Sequence, residues 1–164
     1  MNIIVVVDEK WGIGKNNGLL FHLPKDMAFF KQATTGKVVV MGANTYASFP
    51  HGALPNRVNI VLDDSRKIYP DALSVASVDE LWEALKAYGT QDIFVIGGAS
   101  VYKLLLNYCS YAYVTKVSAN GNAELYFPNL DELSNWKLTE LSEEIPDGDY
   151  TIRFCIYQNA SLKE

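Results

Sequence analysis

Four short segments consist almost wholly of β-branched and other apolar residues: Ile3 to Val7, Val38 to Met41, Val58 to Leu62 and Ile93 to Ile96. A strand with one wet face alternates polar and apolar residues, whereas a nearly solid run marks a strand covered on both faces. Four such runs in one chain require a mostly parallel sheet with helices packed on each side. That requirement excludes helical bundles and open sandwiches.

The segments between the runs supply the covering helices. Pro24 opens a helix over Pro24 to Thr34, with Met27, Phe30 and Thr34 spaced three and four apart and Gly36 just beyond its end. Ser77-Val78-Asp79-Glu80 is a capping box, followed by Leu81, Leu85 and Tyr88 on one stripe and Gly89 as the stop. A third helix is expected from Ala99 to about Asn107. The chain then changes to alternation in Tyr111 to Val117, Trp136 to Glu143 and Tyr150 to Tyr157, with Pro146-Asp147-Gly148 as the turn joining the last two. The C-terminal part is expected to be antiparallel. With 164 residues and no repeat or linker, one domain over 1–164 is the simplest arrangement.

Charge and residue usage narrow the function. The formal charge of −5 disfavours phosphate backbones and anionic lipid surfaces as partners. No apolar run approaches the roughly 18 residues of a membrane span, and the N-terminus lacks the marks of a signal peptide, so a cytoplasmic chain is expected. Cys109 and Cys155 form no metal-binding or disulfide pattern, and His22 and His51 are the only histidines, so no metal site is expected.

Open α/β sheets bind ligands at the carboxyl ends of their parallel strands. Four segments qualify: the connection after Asp8, the turns at Gly42 and Asp63, and the Gly97-Gly98 pair. The connection from Glu9 to Leu23 is long, holds Gly12, Gly14 and Gly18, and carries Trp11, Ile13, Leu19, Leu20 and Phe21. Those side chains are too apolar for a loop that meets only water, so a lid is expected. Gly97-Gly98 opens the helix at Ala99 and Met41-Gly42-Ala43-Asn44-Thr45 repeats the arrangement. Two bare helix starts on one sheet favour a dinucleotide, although each is also an ordinary strand-to-helix turn. Asp26 complements the dipole of its helix or, desolvated by Met27, Phe29 and Phe30, serves as a proton donor near neutrality. Arg57 is either a strand-edge surface residue or a bidentate carboxylate clamp.

Together these residues resemble the dihydrofolate reductase family. The matching pieces are Val7-Asp8, Gly12-Ile13-Gly14-Lys15, Asn17-Gly18, His22-Leu23-Pro24-Lys25-Asp26-Met27, Phe30-Lys31, Thr35-Gly36-Lys37 and Val40-Met41-Gly42. They continue with Thr45-Tyr46, Leu54-Pro55-Asn56-Arg57, Asn59 to Leu62, Ile96-Gly97-Gly98, Val101-Tyr102, Thr115 and Tyr126-Phe127-Pro128, in the family's order across nearly the whole chain.

The resemblance implies an α/β fold with an eight-stranded, mostly parallel mixed sheet, antiparallel C-terminal strands and four flanking helices. It implies reduction of 7,8-dihydrofolate to tetrahydrofolate by NADPH in a monomer, with antifolates as inhibitors. Asp26 would promote protonation at N5, with Thr115, Phe21 and Tyr102 beside it. Ile4, Val5, Val6, Met27, Phe30, Phe49, Leu54 and Ile96 would wall the substrate pocket, and Arg57 would clamp the glutamate α-carboxylate. The cofactor channel would use Val6, Ile13, Gly14, Gly18, Leu19, Gly42, Ala43, Asn44, Thr45, Leu62, Asp63, Asp64, Ile96, Gly97, Gly98, Ala99, Ser100, Val101 and Tyr102.

Several positions depart from the family pattern. Leu19-Leu20-Phe21 replaces the usual Leu-Pro-Trp, Val6 replaces a small alanine, and Ala123-Glu124-Leu125 replaces Gly-Asp-Thr, which is expected to alter how that loop docks on the lid. Ala43, Asp63 or Asp64, and Ser100 stand where an arginine and hydroxyl donors would meet a 2′-phosphate. NADH is therefore expected to serve as a weaker or comparable donor. A pyrimidine-type reductase of riboflavin synthesis and a non-catalytic nucleotide-binding module share the fold, but neither requires Asp26, Thr115, Tyr102 and Arg57 together.

Overall fold

The computed structural model describes residues 1–16 and 18–163. Asn17 of the Asn17-Gly18 pair lies outside them. In chain order the elements are β1 (Asn2–Val7), β2 (Gly12–Gly14), α1 (Pro24–Thr34), β3 (Val38–Gly42), α2 (Ala43–Ala47), β4 (Val58–Leu62), β5 (Leu73–Val75), α3 (Val78–Leu85) and β6 (Ile93–Gly97). They continue with α4 (Ala99–Leu105), β7 (Tyr111–Val117), β8 (Leu125–Tyr126), β9 (Trp136–Leu141), β10 (Ile145–Asp147) and β11 (Tyr150–Asn159).

The expected solid runs are the sheet's interior. The order is β10-β11-β7-β1-β6-β3-β4-β5, with β9 also paired to β11. All pairs from β7 to β5 are parallel, and those made by β11 are antiparallel. The alternating segment 111–117 is therefore the seam, parallel to β1 on one side and antiparallel to β11 on the other. Residues alternate between the two faces along each strand. Ile3, Val5, Val7, Val40 and Val95 pack with Leu81 and Leu85 of α3 and Leu105 of α4. Ile4, Val39, Met41 and Phe94 pack under Phe29 and Phe30 of α1. Each fully buried aliphatic side chain contributes about 1.5–3 kcal/mol.

Among the described residues the sheet has the expected eight strands along its path and a ninth, β9, beside β11. β10 pairs with the first residues of β11 and β9 with the last, so the two share one edge position. Pro146 and Asp147 lie within β10, which moves the expected turn onto Gly148 and Asp149; Gly148, at φ +59°, has the positive φ that glycine adopts without strain. The connection after Asp8 carries a short strand that its sequence does not announce. β2 pairs with the two-residue β8 more than a hundred positions away, and such a long-range pairing leaves no local period.

The helices follow their local signals. α1 spans Pro24–Thr34 as expected. The Ser77 side chain accepts from the Glu80 N–H at 3.1 Å, as a capping box should. That helix ends at Leu85, short of Gly89, and α4 gives way after Leu105 to a 3₁₀ turn over Leu106–Tyr108.

Candidate active site

The first turn of α1 inverts the usual order of burial. The buried residues of the helix are Asp26, in that turn, and Thr34 at its far end, whereas Met27 is 51% exposed. A helix that buries a carboxylate and exposes a methionine is not organised by apolar packing alone. Thr115 is brought to Asp26 by register: Val6 of β1 lies opposite Thr115 of β7, so both side chains leave the same face of the sheet. The Thr115 hydroxyl donates to Asp26 Oδ1 at 2.6 Å. Burial pushes the Asp26 pKa above the usual carboxylate range, the Thr115 hydrogen bond opposes that shift, and the negative charge of Asp147 adds to it.

The segment 9–23 closes over this carboxyl group. Val6, Ile13, Leu19, Leu20, Phe21, Leu23, Asp26 and Met27 enclose a cavity of about 30 Å³. Phe21 is held edge-on to Tyr150 at 4.7 Å, and Leu19 remains 78% exposed although it borders the cavity. A roomier groove of about 560 Å³ runs between Phe29, Tyr113, Leu141 and Phe154 and does not include Asp26.

The lid is fastened by residues that local sequence does not mark. Asp8, 3% exposed, accepts hydrogen bonds from the N–H groups of Lys10, Gly12 and Gly121 at 2.9, 2.7 and 3.0 Å. Glu124 accepts from the Asn16 N–H at 2.8 Å and donates its own N–H to the Gly14 carbonyl at 2.8 Å. The Ala-Glu-Leu segment thus docks on the lid through its glutamate, whose extra methylene leaves the carboxylate able to reach.

The remaining candidates lie on both sides of Asp26. Ile4 faces the α1 side, and its carbonyl accepts the Tyr102 hydroxyl at 2.7 Å. Val5 packs on the opposite face among Ile3 and Val7, which leaves its backbone to border the Asp26 side. Phe30, Phe49, Leu54 and Ile96 share one apolar cluster with Ile4. Arg57 is fixed from two sides, its Nε donating to the Pro55 carbonyl at 2.9 Å and Nη1 to Thr34 Oγ1 at 3.1 Å. Asn59, 5% exposed, pins the turn before Arg57 by accepting from Leu54 N–H and donating to the Leu54 and Arg57 carbonyls.

At the other end, β3 and β6 are neighbours, and each runs into a helix whose N-cap is a glycine with no side-chain cap, Gly42 and Gly98. A Cβ on Gly42 would meet Val101 Cγ2 at 3.0 Å, and one on Gly98 would stand 3.5 Å from Thr45 Oγ1. The two helix starts leave backbone N–H groups for a pyrophosphate, so these residues fit a dinucleotide. Ala43 and Thr45 are half-buried, while Asn44 and Ser100 are exposed. Beyond them, Asp63 accepts from the Tyr69 hydroxyl at 2.6 Å and the Ser65 N–H at 3.0 Å. Those bonds hold its carboxyl below the usual range. Arg66 pairs with Glu80 at 3.1 Å, and the Lys67 ammonium lies over the Tyr69 ring.

A buried carboxyl group beneath a loop, with two glycine-capped helix starts at the carboxyl ends of neighbouring parallel strands, is an arrangement that suits a nucleotide-dependent enzyme. The comparisons with known proteins specify which kind. The family model for dihydrofolate reductase matches residues 1–159. The chain is 34% identical over 161 residues to the dihydrofolate reductase of Bacillus subtilis (strain 168), covering 96% of this chain and 94% of that one. It is 30% identical to the type 9 dihydrofolate reductase of Escherichia coli, covering 97% and 93%. The structure of dihydrofolate reductase from Enterococcus faecalis complexed with NADP(H) and RAB-propyl superposes with a TM-score of 0.85 at 28% identity, covering 96% and 95%. The chain belongs to the dihydrofolate reductase family. It is an NADPH-dependent oxidoreductase that reduces dihydrofolate.

Proposed function

We propose that this reduction takes place between Asp26 and the Gly97-Gly98 turn, with Asp26 as the proton-handling group. The supporting observation is the buried Asp26 carboxyl group joined to the Thr115 hydroxyl at 2.6 Å under a closed lid. Gly42, Ala43, Asn44, Thr45, Leu62 and the run from Gly97 to Tyr102 would hold NADPH, which would supply the hydride for C6 of the substrate. Hydride addition there requires positive charge on the N5=C6 unit. Asp26 holds the pterin amino group and ring nitrogen and favours a proton at N5. Thr115 fixes the orientation of the carboxyl group through its hydrogen bond. Tyr102, bound to the Ile4 carbonyl, supports the floor of the pocket, and the lid residues Ile13, Leu20 and Phe21 exclude water. Arg57 takes the glutamate α-carboxylate, with Phe30, Phe49, Leu54 and Ile96 along the aminobenzoyl group. A spectrophotometric assay of NADPH oxidation with dihydrofolate tests the whole reading: turnover that needs both compounds supports it, and none with soluble, folded protein refutes it.

Residues 1–164 act as one domain, a cytoplasmic monomer without a nucleic-acid or membrane partner. No helix among the described residues is long and apolar enough to cross a membrane.

Cofactor choice should be less strict than a 2′-phosphate site with an arginine would enforce. Asp63 is ionised and Asp64 exposed, while Arg66 and Lys67 are engaged by Glu80 and Tyr69. A carboxylate repels a 2′-phosphate and can accept a hydrogen bond from a 2′-hydroxyl. NADPH should lead NADH by a narrow margin in kcat/KM, and the double change Ala43→Arg, Asp64→Arg should widen it by about 10-fold or more. A thousandfold preference that the added arginines leave unchanged would instead identify Arg66 or Lys67 as the phosphate ligand.

Diaminopyrimidine antifolates such as trimethoprim should inhibit weakly. They bind as cations to Asp26, and Val6, Leu20 and Phe21 border that carboxyl group, with no indole N–H to hold an ordered water there. Inhibition constants for the parent chain and the Leu20→Pro, Phe21→Trp variant should differ, with the variant bound more tightly. Tight binding that is the same in both contradicts this reading.

A further inference from the structure

The helix that carries Asp26 has no local cap. Leu23 stands at its N-cap position without a side-chain hydrogen bond, although the first turn of any helix leaves backbone N–H groups unpaired. Two of those groups are satisfied from the far end of the chain. Asp147 Oδ1 accepts the Lys25 N–H at 2.9 Å and Asp147 Oδ2 accepts the Asp26 N–H at 3.0 Å, across 122 and 121 positions. Asp147 is 1% exposed, so its carboxylate is buried at the start of the catalytic helix.

The surrounding contacts make this a seat rather than a chance approach. Lys25 Nζ donates to the Pro146 carbonyl at 2.6 Å. A Cβ on Gly148 would stand 3.2 Å from the carbonyl oxygen of His22, the penultimate residue of the lid segment. The β10–β11 hairpin therefore meets the end of the lid and the first turn of α1 together. We propose that Asp147 is a positioning residue for the reductase reaction, seating the turn that carries Asp26 and setting the electrostatic surroundings in which Asp26 takes and gives its proton. This inference rests on the assignment of Asp26 made above.

Two acceptors are needed for two N–H groups, and a carboxylate supplies both; an asparagine would turn its amide NH₂ toward one of them. The carboxylate also brings a negative charge close to Asp26 in a poorly solvated place, where like charges oppose ionisation. The groups facing Asp26 from the other elements do not duplicate that charge. Thr115 of β7 offers a neutral hydroxyl, and Tyr102 of α4 is a phenol that burial keeps protonated far above neutral pH. The Lys25 ammonium is tied to Pro146, His22 is exposed, and Arg153 of β11 pairs with Glu144 at 3.6 Å.

The test is the rate of hydride transfer against pH for the parent enzyme, Asp147→Asn, Asp26→Asn and the double variant, with exposed Asp149→Asn as the control. In Asp147→Asn the midpoint should move to lower pH, so that the rate falls about 3- to 10-fold at pH 8 and stays within about twofold at pH 5.5. The ¹³C titration of the Asp26 carboxyl group in cofactor-free protein should move in the same direction. The shift should vanish in the Asp26→Asn background and be absent in Asp149→Asn. If Asp147→Asn does not fold, Asp147→Ser, which keeps one acceptor and no charge, should show the same displacement. A uniform loss at every pH, an unmoved Asp26 titration or a shift that persists without Asp26 would overturn the proposal. Full activity with an unaltered profile in Asp26→Asn would instead refute the assignment of Asp26 itself.

Discussion

Asp26→Asn should lower the hydride-transfer rate by about 10²- to 10⁴-fold near pH 7.5, the range of general-acid assistance. The deficit should shrink as pH falls, because solvent can then protonate the substrate without help. Single-turnover rates across pH 5–9 would measure both effects, and a near-parental rate at pH 8 would remove Asp26 from the mechanism. Stability should change in the opposite direction. The Asp26 pKa is raised in the folded state above its reference value of 3.8. Its contribution is therefore fully present below the unfolded pKa and is lost as pH rises through the folded one. Asp26→Asn has no proton to lose, so its melting temperature should exceed that of the parent above that window and match it in acid. The carboxyl group proposed for the chemistry is thus maintained at the expense of the fold.

Arg57→Ala should act on binding rather than on the chemical step. Removing a charge-assisted partner of a carboxylate costs about 2–4 kcal/mol, which is roughly a 30- to 1,000-fold rise in KM for dihydrofolate, with kcat changed far less. Arg57→Lys should recover only part of this, since one ammonium cannot reproduce the planar fork held by Pro55 and Thr34. A pterin substrate without the glutamate should be equally good for parent and variant. Equal losses on both substrates would mean that Arg57 supports the fold of the turn and not the carboxylate.

Residues whose chemistry is local were readable from the chain. Pro24 and Gly36 bracket α1, Ser77 and Glu80 mark α3, and the four solid runs are the buried strands. Asp26 was ambiguous because a first-turn carboxylate complements the helix dipole in any helix. Its burial and the Thr115 bond across 89 positions favour the second alternative, that of a proton donor. Asp8, Glu124 and Asp147 were less visible still. Each acts by accepting backbone N–H groups, and those donors exist at nearly every residue, so the sequence carries no sign of which ones will be met. Asp147 sat inside a Pro-Asp-Gly string that reads as a turn, and the pairing of β10 with β11 moves that turn onto Gly148 and Asp149.

The strand order also has a consequence for how the enzyme comes into being. β1 is made before both of its neighbours, β6 and β7, so its two edges stay unpaired until residues 93–117 have been synthesised. Pairings this distant in sequence are slow to close, and an open apolar strand invites aggregation while it waits. The hairpin that seats Asp26 arrives later again, at residues 145–159. Until that hairpin is made, the Lys25 and Asp26 N–H groups lack the Asp147 carboxylate that accepts them in the fold. On the proposed assignment, the acid can be seated only after residues 145–159 have been made.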